Sequence, residues 1–318
     1  MNVMTKIFLR ALGCAALGTV GIAETAPTYQ LTDGQTVGEL EMFQECTDCP
    51  EMIVLPMEKF AMGAPLEQSA ALYLLWNNDP AQDEVLGLPS EGPEHEVVVD
   101  IPIAVGRNEV TRAEFLACVT DGGCTHTPDP EILTRQGKRY ADDPRHPVMD
   151  VSYFDMLEYV TWLNSVVGTH AYRLPTEAEW EYLARGGATT VYGQGDTLTV
   201  DQANIGIFYS ENGTHFGDPN NRPIPVPVDE LEAANAWGVR HAAGNIAELT
   251  MSCITERHLG LPTTSAYAAA ASETEQCELV VKGGRFGASA EYARPANRGN
   301  RSQNRRSRFV GFRILREM

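Results

Sequence analysis

Three times between residues 111 and 179 a hydroxyl residue is followed three positions later by an acid: Thr111-Arg-Ala-Glu114, Ser152-Tyr-Phe-Asp155 and Thr176-Glu-Ala-Glu179. At a helix N-terminus this spacing lets hydroxyl and acid each accept from an orphan backbone N–H, and the acid also suits the positive end of the helix dipole. The pattern predicts three helix starts. The second helix spaces Phe154, Leu157, Val160 and Trp162/Leu163 as an apolar face and ends at Gly168; the third begins after Pro175 and ends at Gly186-Gly187. Short β-branched runs predict strands at Glu51–Pro56 and Glu96–Ile101, and two closing strands at Leu279–Phe286 and Phe309–Leu315 around an Arg/Asn-rich excursion. From 193 to 245 Gly, Pro, Asn and Asp dominate, and long loops of that kind in a compact domain are functional or held by ions and disulfides. The sum is an α+β domain with modest regular structure over residues 41–318, preceded by a flexible lead-in at 24–40. With 43% hydrophobic and 21% charged residues, a chain of 318 can bury a core and is not globally disordered.

Residues 1–23 read as an export signal. Lys6 and Arg10 precede a small-apolar run too short to span a bilayer, and Gly21-Ile22-Ala23 offers a cleavage site. A lipoprotein anchored through Cys14 is the rival, opposed by Arg10 so close to it and by Leu12 standing one position off. The expectation is a periplasmic or secreted protein with no transmembrane segment. Six cysteines remain: Cys46, Cys49, Cys118, Cys124, Cys253 and Cys277. An even count in an oxidising compartment favours disulfides, and sequence alone does not choose the pairing. Proximity suggests Cys46–Cys49, Cys118–Cys124 and Cys253–Cys277. The C-x-x-C spacing of the first pair also suits a redox pair or half a zinc site, but no second such motif and no thioredoxin-type pattern accompanies it.

Charge is unevenly spread. The chain carries a formal −19, yet the last 37 residues hold ten Lys and Arg against Glu291 and Glu317, leaving −27 on everything before Lys282. An acidic body would repel phosphate, which argues against nucleic acid as a partner. The arginines from Arg294 to Arg308 admit three readings: an anionic partner, an Arg-lined substrate groove, or buried ion pairs that stitch loops to the body.

A series of motifs then runs in order along the chain. Cys49-Pro-Glu-Met-Ile-Val-Leu-Pro56, Phe60-Ala-Met-Gly63 and Ala104-Val-Gly-Arg-Asn-Glu-Val-Thr111 are followed by His146-Pro-Val-Met-Asp-Val-Ser152 and Trp162-Leu-Asn164. Tyr172-Arg-Leu-Pro-Thr-Glu-Ala-Glu-Trp-Glu-Tyr182, Asn235-Ala-Trp-Gly238, Gly244-Asn-Ile-Ala-Glu248, Lys282-Gly-Gly-Arg-Phe286 and Val310-Gly-Phe-Arg313 complete the series. Together they resemble the sulfatase-modifying-factor family of formylglycine-generating-enzyme-like domains. The resemblance implies a C-type-lectin-like α+β fold with much irregular structure.

The founding enzymes of that family oxidise a sulfatase cysteine with O₂ and copper held by two cysteines near the C-terminus. Those positions fall near Ala293 and Arg298 here, and neither residue can replace the soft thiolate that selects Cu(I). The resemblance therefore places this chain in a subgroup without the copper pair, and copper is not expected. The usual Gly-Asn-Val-Trp-Glu-Trp is Gly244-Asn-Ile-Ala-Glu-Leu249, and Gly-Gly-Ser-Trp is Gly283-Gly-Arg-Phe286, so aromatic wall residues are also missing. Relatives such as sulfoxide synthases and pyoverdine-maturation proteins use, or are proposed to use, other oxidative chemistry. The synthases' iron histidines come from an added domain for which this chain has no room. His95, His126, His146, His170, His215, His241 and His258 show no metal-ligand spacing, which leaves iron open.

The family also holds calcium in its loop-rich half. Asn204-Ile205 with Asp218 or Asn220 matches one such site, and Gly244, Ile246 and Glu248 match another in which His241 replaces the expected oxygen ligand. Ordinary turn-forming Asn and Asp are the bland alternative, as they are for the Asn212-Gly-Thr214 glycosylation pattern. Calcium is the candidate cofactor, with the Asn204 site favoured. Two functions follow. One is an exported, oxidoreductase-like maturation factor acting on a peptide, protein or small metabolite in a groove lined by Ser289, Glu291, Tyr292, Asn297 and Arg298. The other is a catalytically silent lectin-like binding module using the same groove.

Overall fold

A computed structural model describes residues 27–65, 68, 88–134, 136–210, 214–272 and 276–318. The expected signal segment 1–23, Cys14 and Asn212 lie outside the described residues. Nine strands build two sheets: β1 Met42–Phe43, β2 Met52–Val54, β3 Ile103–Gly106, β4 Tyr172–Arg173, β5 Ala247–Cys253, β6 Glu278–Lys282, β7 Gly299–Ser302, β8 Val310–Gly311 and β9 Leu315–Glu317. The first sheet is antiparallel in the order β4-β9-β3-β2-β1, and the second has the order β7-β6-β5-β8 with β5 and β8 parallel. Among the described residues four complete helices accompany them: α1 Arg112–Thr120, α2 Tyr153–Val167, α3 Glu177–Arg185 and α4 Thr264–Ser272.

Each of the three expected caps is a complete capping box, with Thr111, Ser152 and Thr176 at the N-cap and Glu114, Asp155 and Glu179 answering from the third position. Helix α2 ends at Gly168 and α3 at Gly186, both in the left-handed conformation that terminates a helix without a Cβ clash. The apolar face of α2 differs from expectation. Met156, Tyr159, Val160 and Leu163 face the core, while Phe154 and Leu157 are exposed. The helix is apolar on most sides, so spacing fits two stripes equally well, and stacking of Tyr159 on Phe115 with its edge contact to Phe312 selects the inner one.

The lead-in is more ordered than its polarity suggests. Thr28–Gln30 and Thr36–Gly38 form a hairpin, with Leu31 and Val37 buried. The Asp33 side chain accepts from the Gln35 N–H at 2.8 Å and Gly34 supplies a left-handed φ of 86°, chemistry that makes a tight turn from polar residues. The expected strand at Glu96–Ile101 is His95–Val98, paired with Lys59–Met62. The final run splits: β8 lies in one sheet, β9 in the other, and Arg313 sits between them.

The three disulfides pair by proximity as expected, with Cα–Cα distances of 5.0, 5.3 and 5.7 Å for Cys46–Cys49, Cys118–Cys124 and Cys253–Cys277. No helix among the described residues is long and apolar enough to cross a membrane.

Candidate functional site

Helix α3 sits at the centre of the molecule and carries three buried acids, Glu177, Glu179 and Glu181. A buried carboxylate needs a matched cation. Arg298 grips both oxygens of Glu177 at 2.6 and 3.0 Å, and Arg173 grips Glu179 at 2.6 and 2.7 Å. Glu181 receives Arg185 at 2.6 Å and Lys282 at 3.2 Å. Burial works to raise the Glu181 carboxyl, but Lys282 and Arg185 prevail and hold it at about 2.

The basic tail continues this pattern. Arg294 clamps Glu91, Arg306 clamps Asp155, Arg313 clamps Glu248 and Arg316 clamps Glu45, each through two hydrogen bonds between 2.7 and 3.1 Å. Of the three readings of the arginine run, stitching to the acidic body is what these residues do.

Beside these pairs, the face of the second sheet opens into a cavity of about 420 Å³. Ala247 of β5, Val281 of β6 and Val310 of β8 supply apolar lining; Ser289, Tyr292 and Asn297 line it from the segment between β6 and β7; and Gly299, Asn300 and Arg301 of β7 line it along the sheet edge. Arg285, Gly287 and Phe309 are shared with a second cavity of about 400 Å³, lined also by Leu133, Thr134, Arg222 and Arg308. Arg285 lies over the Phe309 ring at 4.1 Å, so an aromatic–cation ridge separates two halves of one trough.

Four of the five residues expected at the groove converge. The Ser289 hydroxyl donates to Glu291 at 2.6 Å, and the other Glu291 oxygen accepts from the Tyr209 hydroxyl at 3.0 Å. Glu291 thus stands just behind the wall, 6% exposed, in a Tyr–Glu–Ser chain. Burial and the Glu291 charge both push the Tyr209 phenol up, so Tyr209 stays a donor. Tyr292 is 48% exposed at the mouth, and Asn297 lines the cavity while its amide donates to Glu91 at 3.0 Å. Arg298 points away, its side chain 1% exposed against Glu177. Lys282, Arg285, Arg301 and Tyr209 also belong to this neighbourhood. The Lys282-Gly-Gly-Arg motif carried a signal for two of them; Tyr209 had none.

The carboxylates and thiols proposed for metals are committed elsewhere. All six described cysteines are in disulfides, and neither Ala293 nor Arg298 offers sulfur, so the residues present do not fit a Cu(I) thiolate pair. No described histidine lines either cavity. Both oxygens of Asp218 accept from Arg222, at 2.9 and 3.2 Å, and the Asn220 N–H donates to the same carboxylate at 3.0 Å. Both oxygens of Glu248 accept from Arg313, and Trp180 Nε1 adds a bond at 2.7 Å. Gly244 and Ile246 are buried beside it, and His241 is fully buried, its imidazole driven down to about 3 by burial with Arg240 and Arg313 nearby. Ile205 packs in an apolar cluster; Asn204 Oδ1 is buried and without a hydrogen-bond partner, as are both ring nitrogens of His241. As arranged, these residues do not form the oxygen cage that Ca²⁺ requires, because guanidinium groups occupy the carboxylates.

Comparison with known proteins converges on one family. The profile described as the sulfatase-modifying factor enzyme 1-like domain matches residues 39–318. A formylglycine-generating enzyme of Mycobacterium tuberculosis is 32% identical over 187 residues, covering 55% of this chain and 58% of that protein. A hercynine oxygenase of Mycolicibacterium thermoresistibile is 28% identical over 271 residues, 73% of this chain and 54% of that one. The chain thus spans little more than half the length of these two relatives. Among solved structures, PvdO from Pseudomonas aeruginosa is 28% identical with a TM-score of 0.68, over 89% of this chain and all of that one. The family model spans most of the chain and the fold matches that solved structure, so the chain belongs to the sulfatase-modifying factor enzyme 1-like, formylglycine-generating-enzyme-like family.

Proposed function

We propose that this protein is an exported maturation factor that holds a peptide or peptide-like metabolite in the trough over the second sheet and acts on it without copper thiolates. The observation that carries the reading is the Ser289–Glu291–Tyr209 chain beside a cavity of about 420 Å³. A hydroxyl whose proton points at a buried carboxylate keeps its lone pairs for a ligand, and Glu291 can take that proton when the ligand needs one moved. Three disulfides support export to a periplasmic or extracellular space. In our reading Arg222 and Arg313 provide the positive charge that calcium gives elsewhere in the family, and the acidic body keeps nucleic acid away.

The silent-module reading keeps one specific observation in its favour: Asn297 and Arg298 are tied to Glu91 and Glu177, which makes a rigid groove and removes two candidate reactive groups. Two measurements test the proposal. A Cys-x-Pro-x-Arg peptide incubated with the purified chain, Cu(I) and O₂ should keep its cysteine by mass spectrometry; formylglycine would overturn the copper-free mechanism. Ser289→Ala should abolish turnover of any ligand the trough retains while leaving retention within about threefold; unchanged turnover would refute the Ser289–Glu291 role.

A further inference from the structure

Arg301 lines the trough with no carboxylate beside it among the described residues. Arg301 lies on the edge strand β7, opposite Leu279 of β6, with its side chain among the cavity-lining residues. Its Nε is buried and lacks a hydrogen-bond partner, and it forms no ion pair among the described residues. That sets it apart from its neighbours in the sequence. Arg294, Arg298 and Arg306 each hold a carboxylate bidentately. Arg308 is bonded to the Leu133 carbonyl and lies 4.8 Å from the Phe309 ring centre.

A buried guanidinium donor left unmatched costs free energy unless something completes it, and the planar fork is shaped for two oxygens of one carboxylate. The surroundings describe the rest of the ligand. Ala247, Val281 and Val310 offer apolar surface beside Arg301, and Ser289 and Asn300 offer short polar contacts.

We infer that Arg301 is the anchor for a carboxylate on the ligand that fills this trough, so that the ligand class is an acid with an apolar body, such as a peptide ending in small apolar residues with a free C-terminus. This rests on the trough being the ligand site. The geometry is that of a bidentate Arg–carboxylate pair at the sheet edge, with the apolar part laid on the sheet face.

The test uses the disulfide-intact chain and two synthetic pools of acetylated apolar tripeptides, identical except that one ends in a free acid and the other in an amide. Retention is read by affinity selection and mass spectrometry. The acid pool should be retained about tenfold more than the amide pool, the size expected for a charge-assisted hydrogen-bonded pair. Arg301→Gln should reduce that preference to within about twofold, and Arg301→Lys should restore part of it. Arg305→Gln, which changes an exposed arginine outside the cavity lining, should leave it intact. Equal retention of both pools by the unmodified chain would overturn the carboxylate anchor and leave the trough standing as the ligand site. Retention of neither pool would overturn both ideas. Persistence of the preference in Arg301→Gln would place the anchor elsewhere.

Discussion

Replacing Arg298 by alanine separates a structural arginine from a ligand-contacting one. The side chain bonds Glu177 twice, at 2.6 and 3.0 Å, and donates to the carbonyls of Ser90 at 2.8 Å and Thr255 at 3.0 Å. Both charged partners are buried, with side-chain exposures of 1% and 3%. Removing one member of such a pair strands the other, at a cost of about 3–5 kcal/mol. Lys282 Nζ, 3.8 Å from Glu177, offsets part of that by shifting toward the freed carboxylate. We take about 3 kcal/mol as the net loss, which for a domain of this size lowers Tm by roughly 5 °C. Differential scanning fluorimetry and urea unfolding of the disulfide-intact chain would read it, with Arg301→Ala, expected to lose under about 1 kcal/mol, as the comparison. The pair Glu177→Gln with Arg298→Met should recover at least half the loss, since neither member then strands the other and Lys282 keeps Glu181. An Arg298→Ala protein that melts within about 2 °C of the parent, or that melts normally but loses ligand retention in the trough, would refute the structural assignment.

Other consequences are smaller. Replacing Cys253 and Cys277 by serine opens a loop with a sequence separation of 24 and should cost about 3 kcal/mol, against about 2 kcal/mol for Cys46 and Cys49; equal losses in denaturant unfolding would contradict the loop-closure account. Millimolar Ca²⁺, or its removal with chelator, should move Tm by less than about 1 °C, because Arg222 and Arg313 hold Asp218 and Glu248; a rise of several degrees, lost in Asn204→Ala, would show that calcium displaces a guanidinium. Burial pushes His258 down to about 4 and His241 to about 3, so below pH 6.5 only the unfolded chain takes up their protons. Stability should therefore fall as pH drops from 6.5 toward 4, with a shallower slope in His258→Phe; an unchanged slope would sink that attribution. Glu109 acts in the opposite direction: burial, then the Glu248 charge, raise it to about 8, so from pH 4.5 to 8 the unfolded chain holds fewer protons and stability falls. Glu109→Gln should flatten that limb, and an unaltered alkaline slope would refute it.

Local chemistry was legible in the sequence, and long-range pairing was not. A capping box uses atoms three residues apart, so Thr111, Ser152 and Thr176 announce their helices whatever surrounds them. The disulfides close short separations and follow from proximity. Strand β3 was missed because a run buried on every residue has no period to read, and α4 because Thr264–Ser272 carries neither an acid in its first turn nor a strong apolar stripe. At the site, Ser289 and Glu291 are two residues apart and were found together. Arg298 was misplaced toward the groove because its partner, Glu177, is 121 residues away, and the sequence does not say which arginine of the run lacks a partner. Only the fold separates the guanidinium groups that hold buried acids from Arg301, whose Nε is buried with no partner.

That separation gives the charge asymmetry its meaning. Ion pairs buried this deeply contribute little net stability, since desolvation offsets most of their attraction. What they fix is position: Arg294 to Glu91, Arg298 to Glu177 and Lys282 to Glu181 hold the segment from β6 to β7 against α3 and the 3-10 turn at Leu88–Glu91. The trough wall that carries Ser289 and Tyr292 is part of that segment, so its shape is set by electrostatic matching as well as by the apolar packing of Ala290 and Ala293. A wall built this way resists rearrangement on binding, and a charge left unmatched within it cannot relax toward a neighbour. Arg301 therefore keeps its positive charge in the cavity until a ligand supplies the oxygens.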